Sequence, residues 1–371
     1  MKYYLIAGEA SGDLHGANLM AALKKEDASA SFRFWGGDLM ATEGGTMVKH
    51  YRELAFMGFI EVLFNLRTIL KNISLCKRDI LEYQPDIIIF IDYPGFNLRI
   101  AKWAKPKGIP THYYISPQIW AWKEGRIKAI KRDVDAMYVI LPFEKDFYEK
   151  KHGFPVSFVG HPLIDAISKR DQVDPENFRK ENRLDNRPII ALLPGSRKQE
   201  VSKMLEIMLS VTSEFENYQF VIAGAPSLEK EFYDQFTDIN NVHLILNKTY
   251  DLLSLSTAAL VTSGTATLET ALYKVPQVVC YKGNRVSYEI AKRVIKLKYI
   301  SLVNLILDKP AVTELIQAEL NTKRLSEELY KILDEYHRAV LFLDYYDLEN
   351  LLGGKGASEK TAKLIVGSME N

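Results

Sequence analysis

Three loops in this sequence place small residues, hydroxyls and a cation where a strand-like run gives way to a helix-like one. The first is Gly8-Glu9-Ala10-Ser11-Gly12-Asp13-Leu14-His15-Gly16, directly after YYLIA. Its glycines let a backbone approach a ligand, and a helix N-terminus there turns N–H groups towards it. The spacing is not G-x-G-x-x-G, and Glu9 and Asp13 are ill matched to a pyrophosphate. The loop reads as a sugar or acceptor loop, or equally as a tight turn with Asp13 as N-cap. The second loop is Leu193-Pro194-Gly195-Ser196-Arg197. An Arg beside a helix N-terminus suits a phosphate, because its planar fork donates two charge-assisted hydrogen bonds. The alternative is a surface Arg in an incidental turn.

The third loop is Thr262-Ser263-Gly264-Thr265-Ala266-Thr267-Leu268-Glu269. Ser263, Gly264 and Thr265 offer hydroxyls and N–H groups to a diphosphate, and Glu269, about one turn into the helix, could accept both hydroxyls of a ribose. Alternatively, Ser and Thr simply cap that helix. Asp92 closes the most apolar run, DIIIFID, just before Tyr93-Pro94-Gly95. A carboxylate at a strand end serves as a general base or orienting group, or it hydrogen-bonds the turn that follows. Asp133-Val134-Asp135 matches a D-x-D metal motif but precedes a strand, so it reads as a solvated turn. His15, His112, His152 and His161 lack metal-ligand spacing. No metal is expected.

These loops need sheets to present them. Short β-rich runs alternate with helical patterns, which argues for βα units and parallel sheets. The runs in the first half are 3–8, 32–37, 86–93, 111–116, 137–142 and 156–162. A polar stretch from Ser168 to Arg187, containing Pro175, reads as a linker. The pattern restarts at 189–195, 219–226, 242–247, 258–264 and 277–281, and is helical from Asn321 onward. The expected organisation is α/β, with two Rossmann-like, doubly wound parallel-sheet domains. The first spans 1–167 and the second 188–345, with a C-terminal helix, 356–371, free to pack back on the first. Two such domains would face each other across a shared crevice lined by strand C-termini.

Composition agrees with a folded protein of this size: 371 residues, 47% hydrophobic and 26% charged. Lys and Arg number 48 against 47 Asp and Glu, which gives no reason to expect a nucleic-acid binder. Cys76 and Cys280 stand alone in apolar contexts, so no disulfide framework is expected and a reducing compartment fits best. No apolar run approaches the ~18 residues of a membrane span, and the N-terminus lacks a secretory core. Two stretches nevertheless mix apolar and basic residues. Phe56 to Ile80 carries Arg67, Lys71, Lys77 and Arg78, and Ile290 to Leu307 carries Lys292, Arg293, Lys296 and Lys298. Each either docks on an anionic membrane surface or holds acyl chains, or is a core helix with snorkelling lysines. Phe59, Leu63, Phe64 and Leu70 are the candidate acyl or membrane patch.

Taken in order, GEASGD (8–13), MGFIEV (57–62), IDYP (91–94), SPQIWAW (116–122), LPFE (141–144), GHP (160–162), LPGSR (193–197) and SGTATLE (263–269) resemble the motif series of the bacterial lipid-A-disaccharide synthases. The match in order and spacing runs from residue 3 to about 307. The resemblance implies a GT-B fold and an inverting, metal-independent glycosyltransferase with no cofactor, the UDP-sugar being a substrate. Its partners would be an acylated sugar nucleotide and an acylated sugar phosphate, at the cytoplasmic surface of the inner membrane. A homodimer is compatible with it.

Carried over residue by residue, the resemblance makes Asp92 the proposed catalytic base, with Glu9 and Ser11, in the acceptor loop, the other catalytic positions. It gives Ser196, Arg197, Ser263, Gly264, Thr265, Glu269 and Asn304 to UDP, and Gly8, Gly12, Met57, Phe59, Gln118 and Trp120 to the acceptor and acyl side, with Trp122 beside them. This chain departs from the pattern at Gly95, where an acid is frequent, and at Val303, where a proline is. Rival expectations are another GT-B enzyme, such as a UDP-N-acetylglucosamine 2-epimerase or a peptidoglycan-type N-acetylglucosaminyltransferase, and a non-catalytic sugar-nucleotide-binding membrane protein.

Overall fold

The computed structural model describes residues 1–54, 66–283, 288 and 298–370. Met57, Phe59, Leu63 and Phe64, with the rest of MGFIEV and residues 290–297 of the basic stretch, lie outside the described residues. The chain divides into two compact units, one made of Met1–Arg170 with Leu352–Asn371, the other of Asp171–Leu351.

The first unit is built on a seven-stranded parallel sheet of β1 (Lys2–Ala7), β2 (Ser31–Gly36), β3 (Thr46–His50), β4 (Ile87–Ile91), β5 (Thr111–Tyr114), β6 (Ala136–Val139) and β7 (Ser157–Phe158). Their order is β3-β2-β1-β4-β5-β6-β7. β4 is IIIFI, buried at every position, as a central parallel strand covered on both faces must be. β3 was not expected from the sequence. It is the edge strand TMVKH, half-exposed along its length, so it carries no apolar run to announce it.

Helix Ala10–Glu26 follows β1 and packs against both helix Asp38–Thr42 and the C-terminal helix Ala357–Met369. Asp165 fastens the segment leading into that last helix by accepting N–H groups of Gly356 (2.6 Å) and Ser358 (3.2 Å).

The second unit has a six-stranded parallel sheet, β8 (Ile189–Leu193), β9 (Gln219–Gly224), β10 (Val242–Leu246), β11 (Ser256–Thr262), β12 (Gln277–Tyr281) and β13 (Thr313–Ile316), in the order β10-β9-β8-β11-β12-β13. β13 is the other edge strand that the sequence hid. The polar stretch read as a linker does hold the boundary between the units, at Arg170 and Asp171, but most of it belongs to the second unit. Asp174 caps helix Pro175–Glu181 through the N–H groups of Glu176 and Asn177, and Phe178 and Leu184 are buried in this unit's core. Two apolar residues at the right positions suffice to dock a short helix.

Candidate active site

In both sheets the strand order reverses once, between β1 and β4 and between β8 and β11. At such a switch point the connections leave in opposite directions and open a crevice beyond the strand C-termini. The loops singled out by chemistry follow these four strands.

In the first unit, Gly8 and Glu9 follow β1 and Asp92 follows β4. Ala7 pairs with Ile91, so the two loops emerge side by side. A side chain at Gly8 is impossible without movement, because a Cβ there would lie 2.4 Å from the Tyr93 ring. Gly12 likewise brings the helix close to β1, where a Cβ would meet that of Ala7 at 3.1 Å. Glu9 and Ser11 are exposed. Asp13 does not cap its own helix. It is buried inside the first turns and accepts the N–H groups of Gly37 (2.7 Å), Leu39 (3.1 Å) and Met40 (3.0 Å), so it caps the neighbouring helix instead.

Asp92 and Tyr93 both adopt left-handed backbone, at φ 43° and 49°. The Asp92 carbonyl accepts from Asn97 Nδ2 (2.7 Å) and the Tyr113 hydroxyl (2.5 Å), which fixes the turn through the backbone and leaves the carboxylate for other work. That carboxylate is half-buried, and burial, then Glu9, then Glu144, push it up to about 7, against the pull of the Tyr93 N–H. A carboxyl tuned there accepts a proton near neutral pH.

The Ser116–Trp122 segment follows β5. Gln118 and Trp122 are exposed, with Lys123 Nζ 3.9 Å from the Trp122 ring centroid. Trp120 is half-buried, packed edge-on against Phe143 at 4.8 Å, and its indole donates to Glu144 at 3.1 Å.

The D-x-D pair is only half solvated, with Asp135 exposed and Asp133 not. Asp133 is buried and pairs with Arg132, while Asp135 pairs with Lys105 and accepts the Thr111 N–H, anchoring the start of β5. Among the described residues no group of three His, Cys, Asp or Glu side chains is placed to hold a metal ion.

In the second unit, the loops after β8, β9 and β11 enclose an open pocket of about 270 Å³. Its lining includes Gly195, Ser196, Ser263, Gly264, Thr265 and Glu269. Gly195 sits at φ 104°, and a Cβ on it would meet Glu200 Oε2 at 2.6 Å. Glu269 lies within helix Thr265–Leu272, where it accepts from the Tyr250 hydroxyl (3.0 Å) and burial raises its pKa. Ser263 spends its hydroxyl proton on the Ile300 carbonyl (2.9 Å), so towards a ligand it can offer only lone pairs.

Arg197 is exposed at the N-cap of helix Lys198–Leu209 and is not part of the lining. Asn304 is not either. It is buried, with its amide shared among Val312 O (2.8 Å), Glu314 Oε1 (2.9 Å) and Val312 N (2.9 Å), tying helix Leu302–Leu307 to β13. Sequence reasoning missed Glu200, Thr249 and the Ala223–Pro226 turn. The last had a signal, a small-residue loop after an apolar run.

A family model described as lipid-A-disaccharide synthetase matches residues 3–364. Among curated proteins, the lipid-A-disaccharide synthase of Syntrophus aciditrophicus is 41% identical over 98% of this chain and 96% of its own length. Those of Geobacter metallireducens and Coxiella burnetii are each 37% identical, over 98% and 97% of this chain and 96% of their own. Among solved structures, the Neisseria meningitidis UDP-GlcNAc 2-epimerase bound to UDP-GlcNAc aligns with a TM-score of 0.64 at 15% identity, covering 100% of both chains. A kitacinnamycin glycosyltransferase aligns at 0.67 and 13% identity, covering 99% of each. At those identities the structures speak for the GT-B fold alone, whereas the family match and the full-length relatives speak for the activity: the chain belongs to the lipid-A-disaccharide synthase family.

Proposed function

We propose that this glycosyltransferase moves the 2,3-diacylglucosaminyl group of UDP-2,3-diacylglucosamine onto the 6-hydroxyl of 2,3-diacylglucosamine 1-phosphate. The products are a β-1,6-linked disaccharide 1-phosphate and UDP. The observation that carries the division of roles is Asp92, a half-buried carboxyl held near 7 at the first unit's switch point. As the acceptor oxygen attacks the anomeric carbon, its proton passes to Asp92 and the anomeric C–O bond to UDP breaks. The carbon inverts through an oxocarbenium-like state. A positioned base supplies about 10²–10⁴-fold.

UDP is assigned to the 270 Å³ pocket of the second unit, with Glu269 on the ribose and the N-terminus of helix Thr265–Leu272 on the diphosphate. Arg197 has no ion-pair partner among the described residues and is assigned to the charge that develops on the departing diphosphate. No step requires a metal or cofactor. Glu9 and Ser11 are assigned to orienting the acceptor.

Acylated substrates call for a lipid surface. No helix among the described residues is long and apolar enough to cross a membrane. Helix Leu66–Tyr83 exposes Leu70 and Leu81 among exposed Arg67, Lys71 and Arg78, which supports peripheral attachment to an anionic leaflet.

The test is UDP release in detergent micelles containing EDTA, with and without the acceptor, for wild-type protein, Asp92→Asn and Arg197→Ala. Release that needs the acceptor, survives EDTA and falls at least about 100-fold in Asp92→Asn is the expected result. Release without acceptor would point to epimerase-like chemistry and overturn the proposal.

A further inference from the structure

Glu144, in the Leu141-Pro142-Phe143-Glu144 run, has no role in the reaction as described so far. It stands where three strand ends meet. Ile91 of β4 lies opposite Tyr114 of β5, and Tyr114 opposite Tyr138 of β6, so Asp92, Ile115-Ser116 and Ile140-Leu141 emerge in a row. The row is stitched across, with Asp92 N donating to Tyr114 O (3.2 Å) and Ile115 N to Tyr138 O (3.1 Å).

The Glu144 carboxylate, 1% exposed, closes this arrangement. Its Oε1 accepts from Ser116 Oγ (2.6 Å) and Trp120 Nε1 (3.1 Å), and its Oε2 from the N–H groups of Ile140 (3.2 Å) and Leu141 (3.0 Å). An indole and two backbone N–H groups can only donate, so this cage is built for the ionised form. Burial opposes it and raises the Glu144 pKa. A second observation points the same way. Ile115 is β-branched yet sits at φ 64°, a strained conformation that persists only where its neighbours hold it. Ser116, the next residue, is the one Glu144 clamps.

We propose that Glu144 is a positioning residue of the transfer reaction. Through Ser116 and Trp120 it fixes the loop next to the Asp92 turn, and as a buried anion it disfavours a second negative charge on Asp92. The proposal rests on Asp92 being the base. The charged and titratable groups that act on Asp92 are Glu9 from the loop after β1 and Glu144 from helix Pro142–Asp146. The Tyr113 hydroxyl of β5 and Asn97 Nδ2 donate to the Asp92 carbonyl, and the Tyr93 N–H binds its carboxylate from the same turn. Arg126 and Arg99 act one step away, on Tyr113 and Tyr93.

The test is the pH profile of kcat/KM for acceptor-dependent UDP release in wild-type, Glu144→Gln, Ser116→Ala and Asp92→Asn proteins. Glu144→Gln keeps the shape and removes the charge. Its acidic limb moves down by about half a pH unit or more and kcat falls about tenfold, while KM for the sugar nucleotide stays within about twofold. Ser116→Ala keeps the charge and cuts one tether, so kcat falls by about threefold or more with the limb in place. A folded Glu144→Gln whose limb does not move overturns the electrostatic role. Should calorimetry show that variant unfolded, Ser116→Ala decides, and an unchanged kcat there overturns the positioning role. An active Asp92→Asn would instead show that the base was misassigned, and the proposal for Glu144 would fall with it.

Discussion

Asp92 is held where two demands conflict. As the proposed base it must ionise, yet burial and the charges of Glu9 and Glu144 favour its protonated form, with a pKa of about 7 against an ordinary 3.8. Two consequences of opposite sign follow. Activity needs the carboxylate, so kcat/KM rises through pH 7 and is about tenfold lower at pH 6 than at pH 8. Stability runs the other way. Between pH 4 and 7 the folded chain keeps a proton that the unfolded chain has lost, so stability declines across that window and stays lower above it. Asn cannot ionise, so Asp92→Asn melts up to about 10 °C above wild-type at pH 8 and level with it at pH 4, while being nearly inactive at both. Equal melting temperatures at pH 8 would show that Asp92 is not strained by its charge. The aspartate's place at a strand end was legible from DIIIFID. Its tuning was not, because Glu9 and Glu144 come from segments far apart in sequence.

At the scale of elements, the turn glycines decide whether the loops can sit where the chemistry needs them. Gly195 joins β8 to helix Lys198–Leu209 at φ 104°, with Glu200 where a side chain would go. Alanine there both strains the backbone and displaces Glu200 from the pocket wall. Gly195→Ala should therefore weaken UDP binding by about tenfold in a calorimetric titration while leaving the acceptor side untouched. Unaltered affinity would move the diphosphate elsewhere. The strands that carry these loops were visible as apolar runs because central parallel strands are covered on both faces. Two of the four edges, TMVKH and TELI, were not, since a half-covered strand needs no such run. Helix Pro175–Glu181 was hidden for a related reason, as Phe178 and Leu184 are its main anchors in a polar stretch.

At the scale of the whole molecule, the chain leaves the first unit after Arg170 and returns to it at Leu352. The return is made secure by packing on helix Ala10–Glu26 and by a few specific hydrogen bonds. His161 N donates to the Leu352 carbonyl (2.9 Å), Asp165 takes the N–H groups of Gly356 and Ser358, and helix Ala357–Met369 buries Ala357, Ala362 and Ile365. Asp165→Ala leaves two N–H groups without their carboxylate at a cost of about 1–3 kcal/mol, enough to lower Tm by several degrees. Among the described residues, the pocket assigned to UDP is lined by residues between Leu193 and Glu269, within the other unit. The variant should therefore show a first unfolding transition shifted down in scanning calorimetry and an unchanged affinity for UDP. If both change together, the two units do not unfold independently.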